Sequence, residues 1–542
     1  MDRRLLATGG VTERFTALVL HPHAMRGESE GVWYQSVEYP ARLFADDGEW
    51  RVDALGANDP AVPAAALACD VLVIHMLSTP ELESVIRLRR ERGRPTVYEI
   101  SDNILALGGW LSPTHALRSP LVRQQIFRYA SLSEGVQTYS PGVAEAFASL
   151  GEHVAVVDYS LPVVPEQLPE KPDGFVFGWS GSTSHREDLL ALAPVVTDFC
   201  RRHSDATFAF MGDRRLLAEC FPEIPAAQLQ YRPFSPHPEY LEFVRGWHAG
   251  IAPAEDTPFS RGRCDAKFVE YAAGGAVPLL SDIPIYRPHG GFAPLFAHPG
   301  QLASVLEELY LDRDAMRGLA GRAHDWVRTN RTSEPGRASR KRFYRSLLPP
   351  SATPSRDPIP APSPALAAAL EEALDASRRQ DHEGSLRLSR ELLRESPDFA
   401  RAAWLAATSL EALGRHDELL DSEDARERSQ VYADLHAEMR YHAARRVRPA
   451  EAGRHFEAIQ SPLRRLRLRA TEPGDRLEYF REVLRHHPYD FFALFALIQL
   501  LSRESAGDGA ELASLWERAS LVAPERVPHA HRPPRLAPFL PS

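Results

Sequence analysis

The chain has 542 residues, a formal net charge of −10 at pH 7, 44% apolar residues and 25% charged residues. This length is typical of about three folded domains, and the negative charge argues against a nucleic-acid-binding protein that depends on a global basic field. The four cysteines form no CxxC pair, and the sequence contains no apolar run of membrane-span or signal-peptide length, so we expect a cytoplasmic protein without a disulfide framework or a membrane span.

Short runs rich in β-branched residues alternate with helical patterns from residue 13 to about 160. The predicted strands cover 15–20, 69–75, 94–100, 135–140 and 153–158, and the clearest helices cover 79–93 and 141–151. Continuously apolar strands that alternate with helices are typical of a parallel sheet covered on both faces. Residues 1–162 are therefore predicted to form a Rossmann-like N-terminal domain.

The same alternation restarts after a proline-rich stretch at 163–174, which we interpret as a hinge. Strands are predicted at 174–180, 205–212, 248–254 and 276–282, and helices at 186–203, 237–247 and 266–275. Residues 163–348 are therefore predicted to form a second doubly wound domain, with a cleft between the two domains.

Residues 349–364 carry seven prolines in sixteen positions, which predicts an extended linker. The following region, 365–522, has a helix–Pro–helix pattern around Pro397 and Pro488 and resembles the tetratricopeptide family, whose unit is about 34 residues. The spacing of these two prolines is not a whole number of units, so the middle of this helical-repeat domain is expected to be irregular. The tail, 523–542, has six prolines and is expected to be loosely ordered.

Two stretches of the second domain are candidates for chemistry. "FGWSGSTSHREDL" (177–189) is a strand that breaks into small residues and then begins a helix, a pattern that serves either strand–helix packing or the binding of an anion. In "IAPAEDTPFSRGRCDAKFVEYAAGGAVPLLSD" (251–282), Lys267 and Glu270 share a face near a helix N-terminus, where an anion is favoured. A diphosphate could meet Lys267 and backbone donors there, while Glu270 takes ribose hydroxyls; the alternative is a surface ion pair.

The second stretch resembles the C-terminal half of GT-B glycosyltransferases, retaining enzymes of the glycosyl-transferase group 1 type. The residues in register with the family signature are Pro253, Glu255, Asp256, Thr257, Pro258, Phe259, Asp265, Lys267, Phe268, Glu270, Tyr271, Gly275, Pro278, Ser281 and Asp282. The resemblance implies an α/β fold with two Rossmann-like doubly wound domains, here followed by a smaller all-α helical-repeat domain. It also implies transfer of a sugar, with retention, from a nucleotide-diphosphate sugar to an acceptor hydroxyl, without a cofactor or a metal ion.

The first stretch is similar to the Gly-rich turn at which this family binds the nucleotide diphosphate. The resemblance implies close backbone approach at the small residues of the turn, a hydroxyl donor at Ser180, and a positive group at His185 or Arg186. The implied donor-binding residues are Gly178, Ser180, Gly181, Ser182, His185, Arg186, Glu255, Asp256, Arg263, Asp265, Lys267 and Glu270, of which Lys267 and Glu270 are also catalytic candidates.

The chain departs from the family pattern at one position. Many relatives have a first glutamate eight residues before the second, and this chain has Gly262 there. Either the loop acids Glu255 and Asp256 replace that glutamate, or contacts to the donor sugar come from elsewhere. A catalytically weakened core that serves as a protein-interaction scaffold is the alternative function.

The N-terminal domain is expected to bind the acceptor, which is a glycan, a lipid-linked molecule or a protein. Residues 31–43 loosely resemble the family's acceptor loop, and His75, Glu99 and Asp102 follow or end predicted strands, the usual ligand edge of such sheets. His75 is a catalytic candidate, and the alternative is a structural hydrogen-bonding role.

No metal site is predicted, because no histidine pair has cysteine or carboxylate partners at ligand spacing. The basic run at 461–470 fits a solvated helix face, with an anionic lipid surface at the inner face of the membrane as the alternative. The helical repeat is a candidate surface for a protein partner.

Overall fold

The computed structural model describes residues 14–22, 30–109, 111–422, 429–469, 475–504 and 509–541. The first domain contains a six-stranded sheet with the strand order β2-β1-β3-β4-β5-β6, and every neighbouring pair is parallel. Its strands are β1 (Phe15–His21), β2 (Trp50–Gly56), β3 (Val71–His75), β4 (Thr96–Glu99), β5 (Gly135–Thr138) and β6 (Val154–Val156).

Helices connect these strands. They are α1, a continuous run made of Glu30–Trp33, the π-helical turn Tyr34–Glu38 and Tyr39–Leu43, followed by α2 (Val62–Ala68), α3 (Leu82–Glu91), α4 (Pro120–Leu132) and α5 (Pro141–Ala146). The five predicted strands are present, and β2 is an addition. β2 is an edge strand in which buried and partly exposed residues are mixed, so it lacks the continuous apolar run that marks the central strands.

The second domain contains another parallel six-stranded sheet, with the order β12-β11-β10-β7-β8-β9. Its strands are β7 (Phe175–Ser180), β8 (Ala206–Met211), β9 (Leu229–Arg232), β10 (Ala249–Ala252), β11 (Val277–Ser281) and β12 (Leu295–Phe296). Its helices are α6 (Arg186–Arg202), α7 (Arg214–Cys220), α8 (His237–Arg245), α9 (Ala266–Ala273), α10 (Pro299–Leu311) and α11 (Arg313–Asn330). The two strands that the sequence did not predict, β9 and β12, are again the edges of the sheet.

The last helix of this part, α12 (Ser333–Leu347), returns to the first domain. Phe343 and Tyr344 pack in one apolar cluster with Phe15 and Trp50 of the first sheet, and Arg345 pairs with Glu49. The first domain is thus completed by a helix that lies within the range assigned to the second. Two Rossmann-like domains, the architecture that the resemblance implies, are confirmed.

The proline-rich segment 349–363 lies along the first domain. The backbone N–H of Ser355 donates to Asp70 Oδ1 at 2.7 Å, the N–H of Ser363 donates to Asp59 Oδ2 at 2.7 Å, and Arg94 pairs with Asp357 at 2.6 Å. These contacts attach the linker to the first domain along its length.

The region that follows is helical, as predicted. Its helices are α13 (Pro364–Arg378), α14 (His382–Glu395), α15 (Ala400–Ala412), α16 (His416–Asp421), α17 (Ala433–Val447), α18 (Ala452–Ala458), α19 (Pro462–Arg469), α20 (Arg476–His486), α21 (Phe491–Glu504) and α22 (Gly509–Val522). α13, α14 and α15 pack on one another in sequence, and so do α20, α21 and α22. No helix in the described part of the chain combines the length and the apolar character needed to span a bilayer.

The helical region shares an apolar core with the first domain. The rings of Phe127 in α4 and Tyr489 lie 6.0 Å apart, and Arg123 of α4 pairs with Glu525 at 3.0 Å. The expectation of a loosely ordered tail is wrong, because Phe539 and Leu540 are buried in the same core. Burial of the apolar side chains of the tail against the first domain removes them from water, which is favourable.

Candidate functional site

The two predicted stretches meet at the edge where the order of the second sheet reverses. β7 and β10 are neighbours, and their connections leave in opposite directions, so a crevice opens at their carboxyl ends. The turn after β7 leads into α6, and the loop after β10 leads into α9. Arg263 of the second loop donates to the side chains of Ser184 and His185 in the first, at 3.2 and 2.6 Å. The starts of the two helices are therefore joined at one site.

The glycines of the first turn serve packing. A Cβ atom on Gly178 would lie 2.6 Å from the ring of Trp247, and one on Gly181 would lie 2.7 Å from the ring of Trp179. Gly178 thus allows close contact between the sheet and Trp247, and its implied role in ligand approach stays a prediction. Ser182 caps the short 3₁₀ turn, since its hydroxyl accepts from the N–H of Ser184, while Ser180 is buried at the end of β7.

His185 is held in a chain of hydrogen bonds. Its Nδ1 donates to Asp188 Oδ2 at 2.8 Å and its Nε2 accepts from Arg263 at 2.6 Å. Burial, together with the charge of Arg263, lowers the pKa of His185 to about 4, so the ring is neutral near pH 7. A neutral His185 carries no positive charge at this turn, whereas its hydrogen-bond partner Arg263 does.

Arg186 does not contribute to this charge. Its side chain is 45% exposed and pairs with Glu187 and Glu219 on the surface. These two surface carboxylates compete with a ligand for the guanidinium, and the phosphate role implied for Arg186 stays a prediction.

The two loop acids have different surroundings. The N–H of Glu255 donates to Asp188 Oδ1 at 2.9 Å, while Asp256 accepts two hydrogen bonds from Arg261 at 2.7 and 3.1 Å. The bond from Arg261 lowers the pKa of Asp256 below its ordinary value. Both acids line a cavity of about 320 Å³ at the carboxyl ends of β10, β11 and β12, together with Asp188, Ser281, Asp282 and Phe296.

Lys267 and Glu270 lie on one face of α9, as their spacing predicts, but Glu270 is not open to a ligand. Its Oε1 accepts from His237 Nε2 at 2.7 Å and from Tyr159 at 3.1 Å, and its Oε2 accepts from Tyr240 at 2.9 Å and from Lys267 at 3.3 Å. A carboxylate has about four acceptor positions, and all are taken. In this conformation the carboxylate is the centre of a buried network and has no acceptor position free for the implied ribose contact.

The charge of Glu270 is stabilised in spite of its burial. Burial would raise its pKa, but the charge of Lys267 and the hydrogen bonds from His237 and Tyr240 outweigh burial and lower the pKa to about 2. The network also crosses between the domains, because Tyr39 of α1 donates to His237 Nδ1 at 2.5 Å. Glu270 therefore ties α8, α9 and the first domain together.

Asp265 is also a structural group. It is buried at the start of α9 and accepts from His289 at 2.9 Å and from Arg331 at 2.8 Å. Burial would raise the pKa of Asp265, but these partners lower it overall. Asp265 thus anchors the start of the helix, and its implied donor-binding role stays a prediction.

Gly262, the position at which the resemblance would place a glutamate, lies against the first domain. A Cβ atom at this position would be 2.4 Å from Cβ of Asn103. The amide of Asn103 in turn donates to the carbonyl of Pro258 and to the carbonyl of Phe539 in the tail, both at 2.8 Å. A larger residue therefore has no room at position 262, and the loop, the first domain and the tail meet at Asn103.

The first domain presents a buried pair at its own ligand edge. His75 Nδ1 donates to Glu99 Oε1 at 2.6 Å. Burial raises the pKa of Asp102 above its ordinary value, and the opposing charges of Arg263 and His75 offset this rise only in part. These are the three strand-end residues that the sequence singles out.

Sequence reasoning missed several residues of the site. His237 and Tyr240 are three residues apart in a predicted helix, so their shared face was readable from their spacing. Tyr159 and Asn103 carry no local signal, because their partners are more than 100 residues away along the chain. Among the described residues, no group of three or more His, Cys, Asp or Glu is arranged to hold a metal ion; metal independence stays a prediction.

No protein-family model matches the sequence, and no curated protein matches it. Solved structures similar to this chain include Anabaena Alr3699/HepE in complex with UDP, with 14% identity, coverage of 61% of this chain and 99% of that chain, and a TM-score of 0.44. Sucrose-phosphate synthase from Thermosynechococcus elongatus has 12% identity, coverage of 62% and 99%, and a TM-score of 0.45. The pneumococcal O-GlcNAc transferase GtfA in complex with UDP and GlcNAc has 12% identity, coverage of 51% and 56%, and a TM-score of 0.37.

Proposed function

We propose that this chain is a glycosyltransferase that moves a sugar from a nucleotide-diphosphate sugar to an acceptor hydroxyl of a glycan, a lipid-linked molecule or a protein, with the retention that the family resemblance implies. The observation that carries the proposal is the convergence of two helix starts, Arg263 and Lys267 at the switch point of the second sheet. Such an arrangement suits a diphosphate, because unpaired N–H groups at helix starts and fixed positive side chains favour an anion.

Arg263 is the residue best suited to the diphosphate. Arginine has five N–H donors, and its contacts to His185 and Ser184 take two of them while holding the guanidinium beside the start of α6. Its guanidinium also lies 5.0 Å from the ring centre of Phe259, which limits its rotation. A prepositioned cation of this kind stabilises the charge that develops on a departing diphosphate.

Lys267 supports the same charge from α9. Its side chain is 24% exposed, and its ammonium lies 3.3 Å from Glu270 Oε2 and 4.6 Å from the ring centre of Tyr240. Glu270 positions Lys267 in this proposal instead of contacting ribose. Contacts to the donor sugar are assigned to the loop that carries Glu255 and Asp256, since Gly262 contributes no side chain.

Arg186 at the start of α6 and Arg263 in the loop before α9 provide a matched test. Binding of a panel of UDP-, GDP- and ADP-sugars is measured by calorimetry for the wild type, Arg263→Ala and Arg186→Ala. We expect Arg263→Ala to weaken binding about 10- to 100-fold, since a charge-assisted hydrogen bond contributes about 1.5–3 kcal/mol, and Arg186→Ala to bind like the wild type. Equal loss in both variants would refute the role of Arg263, and a wild type that binds no nucleotide sugar would refute the function.

A further inference from the structure

The turn that carries Arg263 is closed by its own hydrogen bonds. It spans residues 257–263, between β10 and α9, and is called the Arg263 turn below. The N–H of Arg263 donates to the carbonyl of Ser260 at 3.1 Å, and the N–H of Arg261 donates to the carbonyl of Thr257 at 3.1 Å. The buried hydroxyl of Ser260 accepts from the N–H of Thr257 at 2.8 Å. Because these bonds make the turn one unit, a contact that fixes any part of it also fixes Arg263.

The tail lies against the outer side of this turn. Its last 3₁₀ turn, Ala537–Phe539, packs on the short turn Ser260–Gly262. Both meet the first domain at Gly142, at the start of α5. A Cβ atom on Gly142 would lie 2.0 Å from the carbonyl oxygen of Arg261 and 3.2 Å from the ring of Phe539. The tail, the Arg263 turn and the first domain are therefore in mutual contact.

One side chain of the first domain bonds to both the tail and the turn. Asn103 is fully buried, and its amide nitrogen donates to the carbonyl of Pro258 in the turn and to the carbonyl of Phe539 in the tail, both at 2.8 Å. Its Oδ1 accepts from the N–H of Leu105 at 3.1 Å. The amide has two N–H donors, and each carbonyl takes one. A buried N–H that loses its partner is unfavourable, so the docked tail and the placed turn stabilise each other.

The tail connects this contact to the helical region. α22 packs on α4 of the first domain, and Arg535 of the tail pairs with Glu517 of α22. Arg532 donates to the carbonyls of Val527 and Pro541, at 3.2 and 2.6 Å, and so folds the tail back on itself. The helical region thus reaches the second domain through the tail.

We propose that the tail is a strap that holds the Arg263 turn in the position that binds the diphosphate, with Asn103 and Phe539 as positioning residues; this rests on the proposed function. Through the strap, the helical region sets the affinity of the chain for the nucleotide sugar. Coupling between two sites is reciprocal. Binding of the nucleotide sugar therefore favours the docked tail by the same factor by which the docked tail favours binding.

The test uses the whole 542-residue chain and two matched pairs of variants. Asn103→Ala removes the side chain that bonds to both the tail and the turn. Its control is Asn58→Ala, because Asn58 is also buried in the first domain and donates to Glu371 of α13, a contact to the helical region that does not involve the turn.

The second pair changes the tail itself. Arg532→Gln disrupts the fold of the tail, since all printed hydrogen bonds of Arg532 within the described part of the chain go to carbonyls of the tail. Its control is Arg526→Gln, which removes the same charge from the same segment, where the guanidinium lies 5.0 Å from the ring centre of Phe491.

Two quantities are measured for each variant. Calorimetry gives the affinity for the UDP-, GDP- or ADP-sugar that the wild type binds, and hydrogen exchange gives the protection of the amides of residues 261–263 and 539–540. We expect Asn103→Ala and Arg532→Gln to weaken binding about 5- to 30-fold and to speed exchange at 261–263, whereas both controls match the wild type. Added nucleotide sugar should slow exchange at 539–540 in the wild type.

A nucleotide sugar that binds Asn103→Ala and Arg532→Gln as tightly as the wild type would overturn the proposal. Equal losses in the controls would also overturn it, because they would show a general effect of stability. Unchanged exchange at 261–263 in Arg532→Gln would overturn it whether or not a nucleotide sugar binds. A wild type that binds no nucleotide sugar is the separate outcome that refutes the proposed function.

Discussion

The contact at Gly262 makes a sharp prediction, because packing against Asn103 leaves no room for the glutamate that the glycosyltransferases resembled by this segment have at this position. A Cβ atom at position 262 would lie 2.4 Å from Cβ and 3.1 Å from the backbone N of Asn103, whereas carbon atoms in contact prefer about 3.5–4.0 Å. Asn103 is fully buried, and its amide is held by the carbonyls of Pro258 and Phe539. A methyl group at position 262 must therefore push the loop away from the first domain.

We expect Gly262→Ala to destabilise the protein by about 1–3 kcal/mol from overpacking, plus about 1 kcal/mol for each hydrogen bond of Asn103 that breaks. The measurement is unfolding in guanidinium chloride followed by tryptophan fluorescence. Gly291→Ala is the control, because a Cβ atom there meets nothing within 4 Å. Gly262→Glu introduces the glutamate that the resemblance places at this position. We expect it to destabilise the protein more than Gly262→Ala does and not to raise turnover.

Equal unfolding midpoints for Gly262→Ala and Gly291→Ala would refute the reasoning, since they would show that the loop can move away from Asn103 without lowering the free energy of unfolding. A rise in turnover in Gly262→Glu at normal stability would refute the claim that position 262 has no room for a side chain.

Three further predictions concern the buried networks. Lys267→Ala should lower turnover by a factor on the order of 100 while the protein stays folded; unchanged turnover would contradict the role of Lys267 at the diphosphate. The pKa of Glu270 is about 2 against an ordinary 4.5, so its charge stabilises the fold above pH 4.5 and this contribution, about 3 kcal/mol, is lost as the pH falls toward 2. Glu270→Gln should therefore show a flatter acid-unfolding curve in this range, and a curve as steep as that of the wild type would contradict the assignment. Phe539→Ala should cost about 3–5 kcal/mol of unfolding free energy, and Phe492→Ala, at a position 65% exposed, about 0.5 kcal/mol or less; equal losses would contradict the burial of the tail.

The central strands and the helices of the site were readable from the sequence because their signals are local. A parallel strand buried on both faces is continuously apolar, and this pattern marks β1, β3, β7 and β11. The spacing of Lys267 and Glu270 places them on one face of α9 for any tertiary structure, because the helical repeat alone decides it. Edge strands such as β2 and β9 lack that pattern, since one side of each faces solvent.

The partners of these residues were decided by the tertiary structure. Arg186 and Arg263 are both cations near a helix start in the sequence, but only the path of the loop after β10 brings Arg263 to His185 and leaves Arg186 with two surface glutamates. Likewise, the spacing of Glu270 cannot reveal that Tyr159, Tyr240 and His237 fill its acceptor positions. Sequence periodicity specifies the face on which a side chain lies, whereas its charge, its free hydrogen-bonding positions and its access to a ligand depend on residues that the fold brings from far along the chain.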